Sequence, residues 1–189
     1  LFPYTTLFRS VHGWDDSLFL RGKAPMTKQE VRALAISKLR PEADHIVYDI
    51  GTGTGSCSVE LAFQVPYGKV YGFEINEEAA SLAEANKERF NACNLEIIRG
   101  NALEKIVNMP CPDRVFIGGT KGNLKEILDI LYKKNAYCRI VITAITLETA
   151  GAVTAYYKEH TDYELETTQL FASEGRRVGP YTLMEGHNP

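Results

Sequence analysis

Two rhythms of apolar and polar positions alternate along the chain. Short, continuous apolar runs predict strands at 45–49, 70–73, 95–98, 114–117 and 138–143. Between them, apolar positions spaced three and four apart predict helices at 27–39, 56–65, 77–90, 123–134 and 147–160. Strands that are apolar on both faces belong in a parallel sheet covered by helices on each side, so the fold class is α/β. Thr27-Lys28-Gln29-Glu30 has the form of a capping box, with Thr27 as N-cap and Glu30 at the third helical position, and Arg40-Pro41 closes that helix. After residue 160 the rhythm changes. Residues 163–171 alternate polar and apolar, a Gly/Arg-rich loop comes next, and 181–184 reads as a strand with no helix between. Two strands joined in this way pair antiparallel. Residues 1–10 share no period with the rest of the chain and are read as an artefact or a disordered tail. Residues 11–189 are expected to form a single domain whose final strand is truncated by the chain end.

Composition narrows this picture. The chain has 189 residues, 44% hydrophobic and 24% charged, which is ordinary for one globular domain. It contains no apolar run long enough to span a bilayer and no signal peptide, so a cytoplasmic protein away from the membrane is expected. Cys57, Cys93, Cys111 and Cys138 form no C-x-x-C pair, and His12, His45, His160 and His187 fall in separate segments. Neither a metal site nor a disulfide framework is expected. A net charge of −3 speaks against a general nucleic-acid surface.

The chemistry concentrates where the first strand breaks into alternating glycines, Asp49-Ile50-Gly51-Thr52-Gly53-Thr54-Gly55-Ser56. Glycines at alternate positions permit tight or left-handed backbone and let a ligand approach without a Cβ in the way. The next helix is expected to turn its N–H groups and positive dipole end into the same crevice. A P-loop is excluded, because no Gly-Lys-Ser/Thr is present after the turn. A dinucleotide fingerprint is weakened, because Ser56 stands where its third glycine belongs. The D-x-G-x-G-x-G spacing is that of S-adenosylmethionine-dependent methyltransferases, with Gly51, Thr52, Gly53, Thr54 and Gly55 against the cofactor. Glu74, at the end of the second strand and roughly 20 residues beyond the glycines, is placed to take the ribose hydroxyls. After the third strand, Gly100-Asn101-Ala102 offers a small surface for adenine, with Asn101 as a hydrogen-bonding partner or an ordinary turn residue. After the fourth, Gly118-Gly119 offers bare backbone beside the crevice, with a helix-capping loop as the alternative.

Several segments together carry a closer likeness. Pro25-Met26-Thr27-Lys28 with Glu30-Val31-Arg32, the glycine turn, Pro112-Asp113-Arg114-Val115-Phe116-Ile117-Gly118-Gly119 and the closing Asn188-Pro189 resemble the decarboxylating precorrin-6Y methyltransferase family of cobalamin biosynthesis. Within it the chain resembles the subunit or domain that methylates carbon 15, from about Gly13 to the chain end. The resemblance implies a Rossmann-like class I methyltransferase fold, with a mostly parallel sheet, helices on both faces and an antiparallel C-terminal hairpin. It implies S-adenosyl-L-methionine as cofactor, contacted by Thr27, Gly51 to Gly55, Glu74 and Ala102. It further implies methyl transfer to a tetrapyrrole, a corrin precursor with or without cobalt, coupled to loss of carbon dioxide from an acetate side chain. A carbon-5 methyltransferase, either a separate subunit or a domain fused to this one, and a homotetramer are implied as partners.

Three positions depart from the family pattern. Lys121 stands where a further glycine is common, Asn101-Ala102-Leu103-Glu104 replaces acid-Ala-Pro-Glu, and Thr143 replaces Asn. Lys28, Lys121, Arg176 and Arg177 are the expected partners of the substrate's carboxylates, beside Gly118 and Gly119. No catalytic acid or base is singled out. The glycine turn does not define the acceptor, so RNA or another small molecule remains as an alternative, as does a non-catalytic S-adenosylmethionine-binding protein.

Overall fold

The computed structural model describes residues 12–187. A 3₁₀ turn at Asp16–Leu18 precedes α1 (Gln29–Leu39), β1 (Ile46–Ile50), α2 (Ser56–Gln64), β2 (Lys69–Glu74), α3 (Glu77–Phe90) and β3 (Leu95–Arg99). A short α4 (Ala102–Lys105) comes next, then β4 (Arg114–Ile117), α5 (Leu124–Lys134), β5 (Arg139–Ile142), α6 (Leu147–Glu159), β6 (Ala172–Val178) and β7 (Tyr181–His187). The first five strands form one parallel sheet in the order β3-β2-β1-β4-β5. Strand order therefore reverses between β1 and β4. In such sheets the crevice outside the strands' carboxyl ends at the reversal is the ligand site.

Both faces of the sheet are packed, as the unbroken apolar runs require. On one side Ile36 and Leu39 of α1, Val59 and Leu61 of α2 and the rings of Trp14 and Phe19 cover Val47, Val70 and Phe116. On the other, Ile127, Leu128 and Leu131 of α5 and Tyr156 of α6 cover Tyr48, Phe73, Val115 and Ile117.

The expected elements form, with differences at three places. The capping box does not: α1 starts at Gln29, its N-cap is Lys28, and no side chain caps it. The reason is that the Lys28 carbonyl already accepts the first helical bond, from Arg32 N–H at 2.8 Å, which leaves Thr27 outside the helix. The strand expected at 163–171 is absent. Residues 164–171 carry no regular structure and lie largely exposed, so their alternation has no buried face to serve. Glu166 instead pairs with Lys38 of α1. The stretch read as a Gly/Arg-rich loop is β6, paired antiparallel with β7 from Ala172 opposite His187 to Val178 opposite Tyr181. A two-residue turn joins them, with Gly179 at φ +59°. The hairpin is a sheet of its own and does not extend the parallel one. Residues 1–10, read from sequence as a tail, and the closing Asn188-Pro189 lie outside the described residues.

Candidate active site

The site is built around the glycine turn, and the end of β2 shapes that turn. The Phe73 carbonyl accepts the N–H groups of Gly51 (3.0 Å) and Thr52 (3.1 Å). The Glu74 carboxylate accepts the next one, from Gly53, at 2.9 Å, and with its other oxygen the N–H of Asn76, also at 2.9 Å. Gly55 N–H bonds to the Thr52 carbonyl at 2.8 Å. These donors are spent inside the protein. A phosphate cradle needs them pointing at the ligand, so the turn admits a ligand by close contact and not by binding an anion. This sets it apart from a dinucleotide loop more firmly than spacing does.

Gly51, Gly53 and Gly55 all have positive φ, at +77°, +56° and +80°, and each is glycine for a different neighbour. A Cβ on Gly51 would stand 2.6 Å from the Gly119 carbonyl oxygen, because the turns after β1 and β4 lie against each other at the strand-order reversal. On Gly53 it would stand 2.7 Å from the Pro25 carbonyl oxygen, and on Gly55 2.9 Å from Ala83 Cα of α3. Gly119 differs, since a Cβ there would meet no protein atom within 4 Å.

Around this centre lies a cleft of about 430 Å³, within the range of small-molecule sites. One wall is the strap of residues 23–28 before α1. The second combines Gly51 to Gly53 with Glu74, Ile75 and Asn76, and the third combines Gly100 to Ala102 with Gly118 to Lys121, Thr143 and Ile145. Of the residues expected from sequence, the structure brings Thr27, Lys28, Gly51, Thr52, Gly53, Glu74, Asn101, Ala102, Gly118, Gly119 and Lys121 together at this cleft.

Three expected residues, Thr54, Gly55 and Arg177, are not among those lining it. Thr54 is buried under the turn and Gly55 packs against α3. The start of α2 does not open into the cleft either, because Ser56, Cys57 and Ser58 are buried. Arg177 lies in β6 with its Nε 3.4 Å from the Gly179 carbonyl, and of Arg176 only the backbone position opposite Leu183 is described. Asn101 does double duty: its Oδ1 accepts the N–H of Leu103 at 3.1 Å as the N-cap of α4, and it also lines the cleft.

Lys23 and Ala24 of the strap and the apolar rim of Ile75 and Ile145 escape sequence reasoning, because loop residues carry no periodic signal. Asp49 escapes it as well, although it opens the glycine motif. It is wholly buried beneath the turn, with the hydroxyls of Thr52 (2.9 Å) and Ser58 on one oxygen and no partner on the other. Burial pushes its pKa up to about 6, against the lowering effect of those two hydrogen bonds. Two acids, Asp49 and Glu74, thus flank the turn with no basic side chain bonded to either among the described residues. Such a place suits a ligand with positive charge and a nucleoside's hydroxyls. S-adenosylmethionine fits these residues: hydroxyls and positive charge beside Glu74, which lines the cleft above the buried Asp49, and backbone glycines where bulk must be admitted.

Comparison with known proteins agrees with this geometry. A family model described as precorrin methyltransferase domain matches residues 18–189. A curated relative from Pyrobaculum calidifontis, named probable cobalt-precorrin-6B C(15)-methyltransferase (decarboxylating), is 39% identical over 99% of this chain and 94% of its own. The solved precorrin-6Y C5,15-methyltransferase of Geobacter metallireducens superposes with a TM-score of 0.87 at 34% identity, covering 94% of each chain. The precorrin-8W decarboxylase of Methanobacterium thermoautotrophicum also gives 0.87, at 32% identity over 93% of this chain and 95% of that one. With the family model matched over residues 18–189 and a relative 39% identical along nearly the whole length, the chain belongs to the precorrin methyltransferase family.

Proposed function

We propose that this enzyme uses S-adenosyl-L-methionine to methylate carbon 15 of a precorrin-6B-type tetrapyrrole, with or without cobalt, and releases carbon dioxide from its acetate side chain. The carrying observation is the junction of the glycine turn with Glu74 at the strand-order reversal, inside a chain of this family. When bound, the cofactor supplies a methyl group already activated on sulfur. The protein's own residues then have to hold donor and acceptor in line, close and away from water.

Each wall has a task in this reading. Glu74 has a second lone pair on each oxygen for the ribose hydroxyls, and Ala102 and Asn101 face the adenine. Lys28 and Lys121 stand at the cleft for the carboxylates of the tetrapyrrole, and Ile145, 71% exposed at the rim, offers an apolar bed for the macrocycle. Of the ionisable side chains that line the cleft, Glu74 is assigned to the cofactor and Lys28 and Lys121 to the substrate's carboxylates, and positioning is assigned as the enzyme's main contribution. The electron pair left by the departing carbon dioxide passes into the conjugated ring.

Carbon-5 methylation is assigned to a separate catalytic unit, and the chain to a homo-oligomer, a tetramer by family likeness. Supporting an oligomer, the hairpin exposes Tyr181 (71%), Leu183 (50%) and Met184 (68%). Light scattering on the wild type and on Leu183→Glu tests this; a wild-type monomer rules it out. The activity is tested by mass spectrometry after incubation with cofactor and a precorrin-6B-type tetrapyrrole. One methyl gained and one carbon dioxide lost is the expected product, and an unchanged mass refutes the assignment.

A further inference from the structure

The buried ion pair between Arg32 of α1 and Glu60 of α2 lies outside the cleft, yet it joins two of the cleft's walls. Both side chains are wholly buried. Arg32 spends four of its N–H groups: Nε on Glu60, one terminal nitrogen on Asp16 (3.1 Å) and on the Thr27 carbonyl, the other on the Trp14 carbonyl. Glu60 takes the N–H groups of Gly13 and Trp14 as well. Trp14 and Phe19 are anchored in the core against each other and against Phe90, so the segment before the strap is fixed. The strap itself, residues 23–28, hangs between Phe19 and α1. Arg32 grips its last turn at Thr27, and Asp16, which Arg32 also holds, reaches Lys28 at 3.6 Å. Glu60 sits one turn into the helix that leaves the glycine turn. Nearer the middle of the strap, the Pro25 carbonyl oxygen lies 2.7 Å from where a Cβ on Gly53 would be.

We propose that Arg32 is a positioning residue for the cofactor: its fork, locked on Glu60, sets the distance between the strap and the glycine turn and thereby sets cofactor affinity. The proposal rests on S-adenosylmethionine being the ligand of the cleft. A lysine at this position keeps the charge but cannot bond Glu60, Thr27 and Trp14 at once.

The test combines calorimetric titration with S-adenosylhomocysteine and hydrogen exchange on the strap peptide, in the wild type, Arg32→Lys and Asp16→Asn. Wild type that binds no S-adenosylhomocysteine overturns the cofactor reading and this proposal with it. Given wild-type binding, Arg32→Lys is expected to weaken it by about tenfold, with faster exchange in the strap, unchanged exchange in β1 and β2, and kcat at saturating cofactor within about twofold of wild type. A variant that loses only thermal midpoint and keeps its affinity shows a merely structural ion pair and overturns the proposal. Should Arg32→Lys not fold, Asp16→Asn decides, since it takes the charge from one anchor of the fork and leaves the buried pair. An increase in dissociation constant of about threefold with faster strap exchange supports the proposal, and an unchanged constant overturns it.

Discussion

Glu74 holds Gly53: the carboxylate at the end of β2 accepts the N–H of the middle glycine of the turn after β1, at 2.9 Å. The acid expected to bind ribose is thus also the acid that shapes the turn proposed to receive the cofactor. Its second oxygen takes Asn76 N–H, and Asn76 caps α3, so one side chain ties together three elements of the site.

Replacing Glu74 by Gln turns one acceptor into a donor that faces another N–H. Both the turn geometry and a charge-assisted bond to the ribose are lost, each worth roughly 1.5–3 kcal/mol. S-adenosylhomocysteine affinity should fall by at least about tenfold. Calorimetry reads this directly, and an unchanged dissociation constant returns Glu74 to a purely structural part.

The two glycine turns at the strand-order reversal give opposite expectations. Gly51→Ala drives a Cβ to within 2.6 Å of the Gly119 carbonyl at φ +77°, so the backbone has to move and the variant should lose several kcal/mol of stability. Gly119→Ala meets no protein atom within 4 Å, so its unfolding midpoint should match wild type. Its methyl group would occupy cleft space, and cofactor or tetrapyrrole binding should weaken. Denaturant curves and titrations on both variants decide it. If Gly119→Ala binds both ligands as wild type does, that part of the cleft is not ligand space.

Most of this site is legible in the sequence because strand ends and glycine spacing are local signals. Glu74 emerges from the end of a strand, and Gly51 to Gly53 from alternation, without knowledge of tertiary contacts. The illegible part depends on partners far away in the chain. Thr27 looks like an N-cap, but the Lys28 carbonyl receives the first helical bond while the Thr27 carbonyl goes to Arg32. The alternation at 163–171 looks like a strand, yet a strand needs a neighbour, and the only pairing beyond α6 is between Ala172–Val178 and Tyr181–His187 among the described residues. Arg176 and Arg177 look like loop cations because they follow Gly175 and precede Gly179-Pro180, and glycine and proline are poor strand formers. Register with β7 overrides that propensity.

Lys121 separates stability from binding. Its φ of +50° is left-handed, which explains physically why a glycine suits this position. Lys121→Gly should stabilise the fold by about 0.5–1 kcal/mol, the relief of strain being partly offset by chain entropy. The same change removes a cation from the cleft, so the Michaelis constant for the tetrapyrrole should rise, by up to about fivefold for an exposed pair. A rise in midpoint with no change in that constant would show that Lys121 faces solvent and not substrate.

Asp49 predicts a pH dependence with a definite sign. Its folded pKa, about 6, lies above its ordinary value of 3.8 because burial disfavours the charge. Between those two values the native protein keeps a proton that the unfolded chain has released, so stability falls as pH rises through this window and levels off above it. The effect is on the order of 3 kcal/mol at most, taking about 1.4 kcal/mol for each pKa unit. Asp49→Asn cannot ionise, and the hydroxyls of Thr52 and Ser58 can turn to meet it. The variant should therefore gain stability over wild type at pH 8 and match it at about pH 4, while binding S-adenosylhomocysteine more weakly for want of the negative charge beneath the turn. Urea midpoints of both proteins at the two pH values measure the difference. An equal offset at both pH values would mean that Asp49 does not titrate in this window, and that its burial is compensated by contacts other than the two hydroxyls.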